Sequence, residues 1–393
     1  MSVLDGVYGT VCNAEQYQLS NDTNPTITCL THGQSIGLAL TAEASFLSLA
    51  AVIIVLVLIG RNVLRYRRAL PKGGWKLLRV PADIYMLSLF VYDILEALGG
   101  ILDVRWAHNG IVTVGPYCTA QGIIQQSGEL GVALITLILT VHTFVVALWK
   151  VGIGARHFAF GMVALTSLFV VLWVGIGNGI HKNFETPTPY WCWIGPEYGA
   201  ERLAGEYIWL WIALFASVIM YIPLYFWMKG RLSVDPDKWY KFRLSESDDG
   251  YTQRRSALGM LSYPLAYSFV VLPVSIARWL VFSNKKVPSA AAFFAVSMFN
   301  LSGAINVLLF LIVRPGLLLF SPPEEFGEPE GAEIEDPTTG STMTPDTPKY
   351  SHSPQPTGMS LADVADDGAW NLTADGNNVA LSRIDSRPRS DGI

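Results

Sequence analysis

Apolar runs of about 20 residues recur between positions 37 and 313, and the charged residues fall in the gaps between them. A soluble core has no need of unbroken apolar runs that long; a hydrocarbon layer about 30 Å thick requires them. Seven runs stand out, at 37–60, 83–103, 117–149, 158–180, 207–228, 257–282 and 288–313. Each is expected to be a helix, because an open sheet would leave backbone groups unsatisfied in lipid. The predicted fold class is all-α, a seven-transmembrane helix bundle over 37–315. A polar tail, 1–36, precedes it and is too short to form a ligand-binding domain of its own. From Ser321 the composition turns to Pro, Glu, Asp, Ser, Thr and Gly, so 316–393 is expected to be a disordered tail. Thr344, Thr347 and Ser353 each precede a proline there and are candidate kinase substrates.

The composition agrees with a membrane protein: 51% of the 393 residues are hydrophobic and 15% charged. The first 35 residues lack Lys, Arg and an early apolar core, so the first helix is expected to act as an uncleaved anchor. Charge asymmetry sets the expected orientation. The gaps 61–82, 150–157 and 229–256, with Arg314, carry seventeen Lys and Arg, whereas the opposite gaps carry five. The positive-inside rule then places the N-terminus outside and the tail 316–393 in the cytoplasm. All four cysteines fall on the expected outer, oxidising side. Of three pairings, Cys118–Cys192 is favoured, with Cys12–Cys29 as a local bridge in the tail.

Polar residues inside the runs are the candidate chemistry. Asp83 and Asp103 stand near the ends of the second run, where water can reach them. Asp93 and Glu96 do not, and their spacing of three puts them on one helix face. Buried carboxylates face a bundle interior. Two readings stand for this pair: a neutral, hydrogen-bonded packing device, or a switch or cation site. Glu129 lies eleven residues into the third run from Cys118, about 16 Å down and near the midplane. With Asp93 and Glu96 it is expected to form a cluster holding a proton or a cation, since clustered carboxylates cannot all ionise. Pro223 interrupts the fifth run and Pro264 and Pro273 the sixth, as hinge or as static kink. Asn300, Ser302, Gly303 and Asn306 supply polar contacts in the seventh. The six histidines are scattered without metal-ligand spacing, so neither a metal nor a cofactor is expected. No nucleic-acid partner is expected.

The stretch CTAQGIIQQSGELGVAL at 118–134, TVHTF at 140–144, YWCWI at 190–194 and YPLAYSFVVLPVSIARW at 263–279 carry a family resemblance. Together, over about 37–315, they resemble the fungal G-protein-coupled receptors of the cAMP-receptor-like family, related to slime-mould cAMP receptors and fungal glucose-sensing receptors. Two features of the rhodopsin-like pattern are missing. The third run ends in His142 to Lys150 rather than Asp-Arg-Tyr, and the seventh has Asn306-Val307-Leu308-Leu309-Phe310 in place of Asn-Pro-x-x-Tyr.

The resemblance implies a plasma-membrane receptor, not an enzyme, which binds an extracellular small molecule and passes the signal to a heterotrimeric G protein and the cAMP pathway. Gln121, Gln125, Gln126, Trp106, Trp191, Trp193 and Arg278 are the expected pocket. Arg278 would suit an anion such as a cyclic nucleotide; the glutamines and aromatics would suit a sugar. Asp93, Glu96, Glu129, His142 and Asn306 are the expected intramembrane switch. Lys150, Arg156, Arg254 and Arg255 are the expected G-protein contacts. A retinal protein is disfavoured, because 288–313 lacks the lysine a Schiff base needs. The rival class is a seven-helix transporter or channel-like protein, against which the absence of an internal repeat counts. The expected topology predicts N-glycan at Asn21, in Asn-Asp-Thr, and none at Asn371, in Asn-Leu-Thr. Glycosidase mapping that finds sugar on Asn371 overturns the orientation.

Overall fold

A computed structural model of the chain describes residues 9–20, 26–69, 81–149, 156–228, 232–234, 242–244, 251–283, 285–313, 373–375 and 378–380. The chain divides into two units, Met1–Phe320 and Ser321–Ile393. The expectations for Asn21, Asn371, Lys150, the basic loop at 70–80 and the tail phosphosites lie outside the described residues. In the second unit the described residues are two paired strands.

The first unit opens with α1 (Ala14–Ser20), β1 (Ile27–Cys29) and α2 (His32–Ala69). Both helices begin in reciprocal capping boxes, in which a side chain at each end satisfies an orphan N–H at the other. Asn13 and Gln16 exchange such bonds at 2.8 and 3.1 Å, and Thr31 and Gln34 at 3.3 and 2.9 Å. There follow α3 (Pro81–Ile101), α4 (Asp103–Asn109), β2 (Ile111–Thr113), α5 (Pro116–Trp149) and α6 (Arg156–Ile180). Proline opens both α3 and α5, where its missing N–H costs nothing. Gly110 closes α4 at a φ of 67°, the left-handed cap for which glycine is suited. The chain continues through β3 (Glu185–Pro187), β4 (Cys192–Ile194), α7 (Gly199–Arg202), a π-helical turn (Leu203–Tyr207) and α8 (Ile208–Met228). It ends with β5 (Leu232–Val234), β6 (Phe242–Leu244), α9 (Tyr251–Phe282), α10 (Ser289–Asn300) and α11 (Ser302–Val313); the second unit holds β7 (Thr373–Asp375) and β8 (Asn378–Ala380).

Among the described residues, six helices are long and apolar enough to cross a membrane: His32–Arg65, Pro81–Asn109, Pro116–Val146, Arg156–Ile180, Gly199–Trp227 and Ser289–Ile312. The chain is a multi-pass membrane protein. The remaining run expected to cross, 257–282, lies within α9, whose described apolar part is Leu265–Val281. Large apolar side chains such as Ile54, Val57, Leu165, Val171, Phe215, Ile219 and Phe269 stand exposed on the flanks, as a lipid-facing surface demands.

Helix α5 runs through the middle, packed against α3, α6, α8 and α9, while α2 lies against α3, α10 and α11. Small residues allow the closest of these approaches. A Cβ on Gly128 would collide with the Glu96 backbone, one on Gly131 with the Tyr92 ring, and one on Gly99 with the Gln125 backbone.

Two disulfides, Cys12–Cys29 and Cys118–Cys192, lie at the same end of the bundle. The second joins the first turn of α5 to β4 and so straps the β3–β4 hairpin over the helices. The N-terminal segment departs from the polar tail expected for 1–36. β1 pairs antiparallel with β2, Ile27 opposite Thr113, and Leu30 N–H donates to the Gly110 carbonyl at 2.9 Å. Cys12, Leu30 and Val112 are completely buried. The segment is thus docked on the loop that follows α4, because the strand edge exposed there takes a partner.

The close approach of α3 to α5 predicts the response to added volume. Gly128→Ala is expected to destabilise the fold by about 1–3 kcal/mol through overpacking. Gly161→Ala and Gly175→Ala, which meet nothing within 4 Å, should leave the melting temperature in detergent unchanged.

Candidate functional site

The interior of the bundle is polar along its length. Asp93, Glu96, Asp103, Glu129 and Glu206 are all buried within the spanning helices, and Glu185 is buried beneath the strapped hairpin. Among the described residues no Lys or Arg side chain comes within 4.0 Å of these six carboxyls. Asp93, Glu96, Asp103, Glu129 and Glu206 are each held by a neutral or carboxyl neighbour.

At the disulfide end, Gln121 is a joint. Its Oε1 accepts from Trp106 Nε1 and from the Cys192 N–H, the latter at 3.3 Å. Its Nε2 donates to the Asp103 carboxylate and, at 3.5 Å, to the Gly99 carbonyl. One amide therefore ties α5 to α3, α4 and the disulfide loop, and has no capacity left for a ligand. Asp103, expected to be solvated, is instead buried by this network. Asp83, expected likewise, is buried near the start of α3.

Below Gln121 the partners thin out. Gln125 Nε2 donates to Glu129 at 2.8 Å, but Gln125 Oε1 has no partner. Neither amide atom of the completely buried Gln126 is hydrogen-bonded. Glu206, in the π-helical turn, accepts from Trp193 Nε1 at 2.9 Å, and its carboxyl faces that of Glu129. Two carboxyls so placed hold a proton or a cation between them. The buried Tyr267 hydroxyl on α9 lies in electrostatic reach of Glu96 and Glu206 and is unpartnered. Buried polar atoms left unpaired cost free energy and call for an explanation.

Further along, the seventh run breaks at Leu301 between α10 and α11. The break is built on polar contacts. Asn300 Nδ2 donates to Ser45 Oγ at 2.9 Å and to the Thr41 carbonyl at 3.3 Å. Ser302 donates to the Glu96 carboxylate at 3.0 Å, and Asn306 Nδ2 to Asp93 at 3.0 Å. The Ala304 N–H donates to Ser48 Oγ at 3.2 Å. Gly303 has no room for a Cβ against Ser48 and Asp93.

Arg278 stands among the aromatic rings of the disulfide end. Its guanidinium stands over Trp193 at 5.3 Å, Trp191 at 5.5 Å and Tyr207 at 5.8 Å. Arg202 stacks on Trp193 at 4.8 Å. The tryptophans beside Cys192 are thus buried between arginines and the bundle mouth. Of the expected switch residues, Asp93, Glu96, Glu129 and Asn306 come together. His142 does not; it lies about 20 Å further along α5, edge-on to the Tyr85 ring at 5.4 Å. Arg156 is exposed at the start of α6. Arg254 and Arg255 fall near the start of α9, their side chains outside the described residues. Among the described residues no set of three or more His, Cys, Asp or Glu is arranged to hold a metal ion.

Glu185, Glu206, Arg202, Tyr207 and Tyr267 belong to this site and were not singled out from the sequence. Glu206 stands one residue before the run at 207–228, the signal that could have marked it as buried rather than looped.

No protein-family model matches the chain, and a search of curated proteins returns no match.

Glu185 lies outside the spanning segments, and neither of its carboxylate oxygens is hydrogen-bonded. Burial pushes its pKa up to about 7 from an ordinary 4.5. A carboxyl raised in the fold costs nothing at low pH, where both states are protonated. It destabilises the fold progressively as pH climbs from about 4.5 to about 7. Glu185→Gln should therefore match the wild type at pH 4.5 and melt higher at pH 8, by about 1–3 kcal/mol. Thermal unfolding across that pH range checks this.

Proposed function

We propose that the chain is a G-protein-coupled receptor of the plasma membrane that takes an extracellular small molecule at its disulfide end and signals through a heterotrimeric G protein, with the cAMP pathway as its output. In this reading α9 is a seventh crossing, the disulfide end faces outside and the basic end faces the cytoplasm.

The observation that supports it most is the polar layer through the bundle. It begins under the lid at Trp193 and Glu206, passes through Glu129 and Glu96, and ends at Asp93 and Asn306 beside the break between α10 and α11. A ligand that engages Gln125, Gln126, Tyr267 or Arg278 would change the partners of Glu129 and Glu206. Those changes reach the broken helix through Glu96–Ser302 and Asp93–Asn306. A ligand acts on such an equilibrium only through contacts that differ between its states, and unpaired amides provide such contacts. Arg156, Arg254 and Arg255 would stand at the G-protein face.

A transporter is the second reading, favoured by one feature: a helix broken inside the bundle with polar groups at the break. Nucleotide exchange separates the two. Purified receptor, host heterotrimeric G proteins and a panel of sugars, nucleotides, amino acids and lipids should give ligand-accelerated exchange. Arg278→Ala should weaken the response to the active ligand by about tenfold or more, the loss of one buried charge-assisted contact. Substrate flux in proteoliposomes without a G protein, and no exchange with any partner, overturns the receptor reading.

A further inference from the structure

Docking of the N-terminal segment closes a cavity of about 360 Å³ between α1, the β1–β2 pair and α4. That volume falls in the range of small-molecule pockets, about 300–1,000 Å³. One wall is the outer face of the strand pair. Ile27 stands directly opposite Thr113, so the two side chains share a face, and Ile111, two residues from Thr113, joins them. Val112, between them, is completely buried on the other face. The second wall is α4. Arg105 and Asn109 are four residues apart and share one side of it, with Trp106 next to them. Val104, Ala107 and His108 occupy the opposite side, toward α2. Gln16 of α1 is the third wall. These walls are tied together without a ligand. The Cys12–Cys29 disulfide joins the approach to α1 to the end of β1, the ladder joins β1 to β2, and the Leu30 N–H bond to the Gly110 carbonyl joins the exit of β1 to the cap of α4.

One cation and three neutral polar side chains converge there. Among the described residues no Asp, Glu or Lys lines the cavity, and no carboxylate lies within 4.0 Å of Arg105. The Arg105 guanidinium stands over the Tyr117 ring at 4.4 Å. That ring is held in turn by its hydroxyl, which donates to the Leu102 carbonyl at 2.7 Å. A contact through a ring face positions the cation without occupying its N–H fork, which matches a carboxylate. Gln16 Oε1 accepts from the Asn13 N–H at 3.1 Å, which leaves its Nε2 to donate into the cavity. Asn109 adds an amide and Thr113 a hydroxyl, while Ile27 and Ile111 supply apolar surface. Arg105 and Asn109 are exposed, so the cavity is reached from water. A neutral sugar would use the amides and the hydroxyl and leave the guanidinium unpaired. A simple carboxylate would do the reverse. A compact polyhydroxylated carboxylate uses both sets of groups.

We propose that this cavity binds a sugar acid, with its carboxylate on Arg105, its hydroxyls on Gln16, Asn109 and Thr113, and its C–H face against Ile27 and Ile111. The site is built by the docked N-terminal segment and α4 rather than by the buried polar layer, so the proposal stands whether or not the protein couples to a G protein. It adjoins the bundle through Trp106, whose Nε1 donates to Gln121, the amide that ties α5 to α3, α4 and the disulfide loop.

The test uses the full-length protein in phosphatidylcholine nanodiscs at fixed ionic strength, with D-glucuronate, D-galacturonate and D-mannuronate as probes and ligand-observed NMR as the readout. Saturable binding of at least one uronate is expected. Its uronamide, which keeps the ring and hydroxyls and loses the charge, should bind about tenfold more weakly. Acetate, which keeps the charge and loses the hydroxyls, should also bind about tenfold more weakly. Arg105→Gln should bind acid and amide alike; that comparison is made within one variant, so partial loss of folded protein does not disturb it. Asn109→Ala should weaken both by about threefold and keep the preference for the acid. No saturable binding of any of the three uronates, equal binding of uronate and uronamide or of uronate and acetate by the wild type, or an acid preference that survives Arg105→Gln each overturn the proposal.

Discussion

The contact between α3 and α5 is the constraint on which the interior depends. Two helices carrying carboxylates approach so closely that Gly99, Gly128 and Gly131 stand where side chains would collide with the facing helix. That register brings Glu96 into electrostatic reach of Glu129. In a medium of low dielectric such neighbours repel strongly unless protons or cations intervene. The bundle answers with amides and hydroxyls rather than bases: Asn306 on Asp93, Ser302 on Glu96, Gln125 on Glu129 and Gln121 on Asp103.

The broken helix is fixed by polar partners on α2 and α3. α10 and α11 do not form one regular rod because their polar side chains must meet fixed partners on α2 and α3. Asn300 reaches Ser45, while Asn306 reaches Asp93. A break of this kind is tolerated in lipid only where neighbouring groups satisfy the freed backbone. Here Ser48 accepts the Ala304 N–H. The interior is thus over-determined at the break and under-satisfied near Gln126 and Tyr267. That contrast makes the second region the place where a ligand or ordered water gains most.

At the disulfide end the loops carry as much structure as the helices. Cys118–Cys192 holds Trp193 down onto Glu206, and Arg202 and Arg278 stack on the same indole. Cation–π contacts of this kind contribute about 0.5–2 kcal/mol each, and both arginines stay in electrostatic reach of Glu206. The N-terminal segment completes this end through β1 and β2.

Hydropathy alone sufficed for the helical class, the membrane and six of the crossings, because a helix in lipid needs a long apolar run and little else does. Spacing alone put Asp93 and Glu96 on one face, and depth along the helix put Glu129 near them, since both follow from a fixed rise per residue. What depends on distant partners was out of reach. Asp103 looked like a solvated residue at a helix end, and nothing local marked Glu206; both are buried because Gln121 and Trp193 arrive from elsewhere in the chain to hold them. His142 looked like part of the switch, yet lies too far along α5 to join it. Gln121 looked like a ligand contact, yet all its hydrogen-bonding capacity is spent on tying elements together. The polar tail before α2 proved to be a docked strand, and α4, which continues α3, packs against α2. Local periodicity determines which segments are helices; which polar atoms end up satisfied is decided by contacts between segments far apart in the chain, and only the tertiary structure contains those.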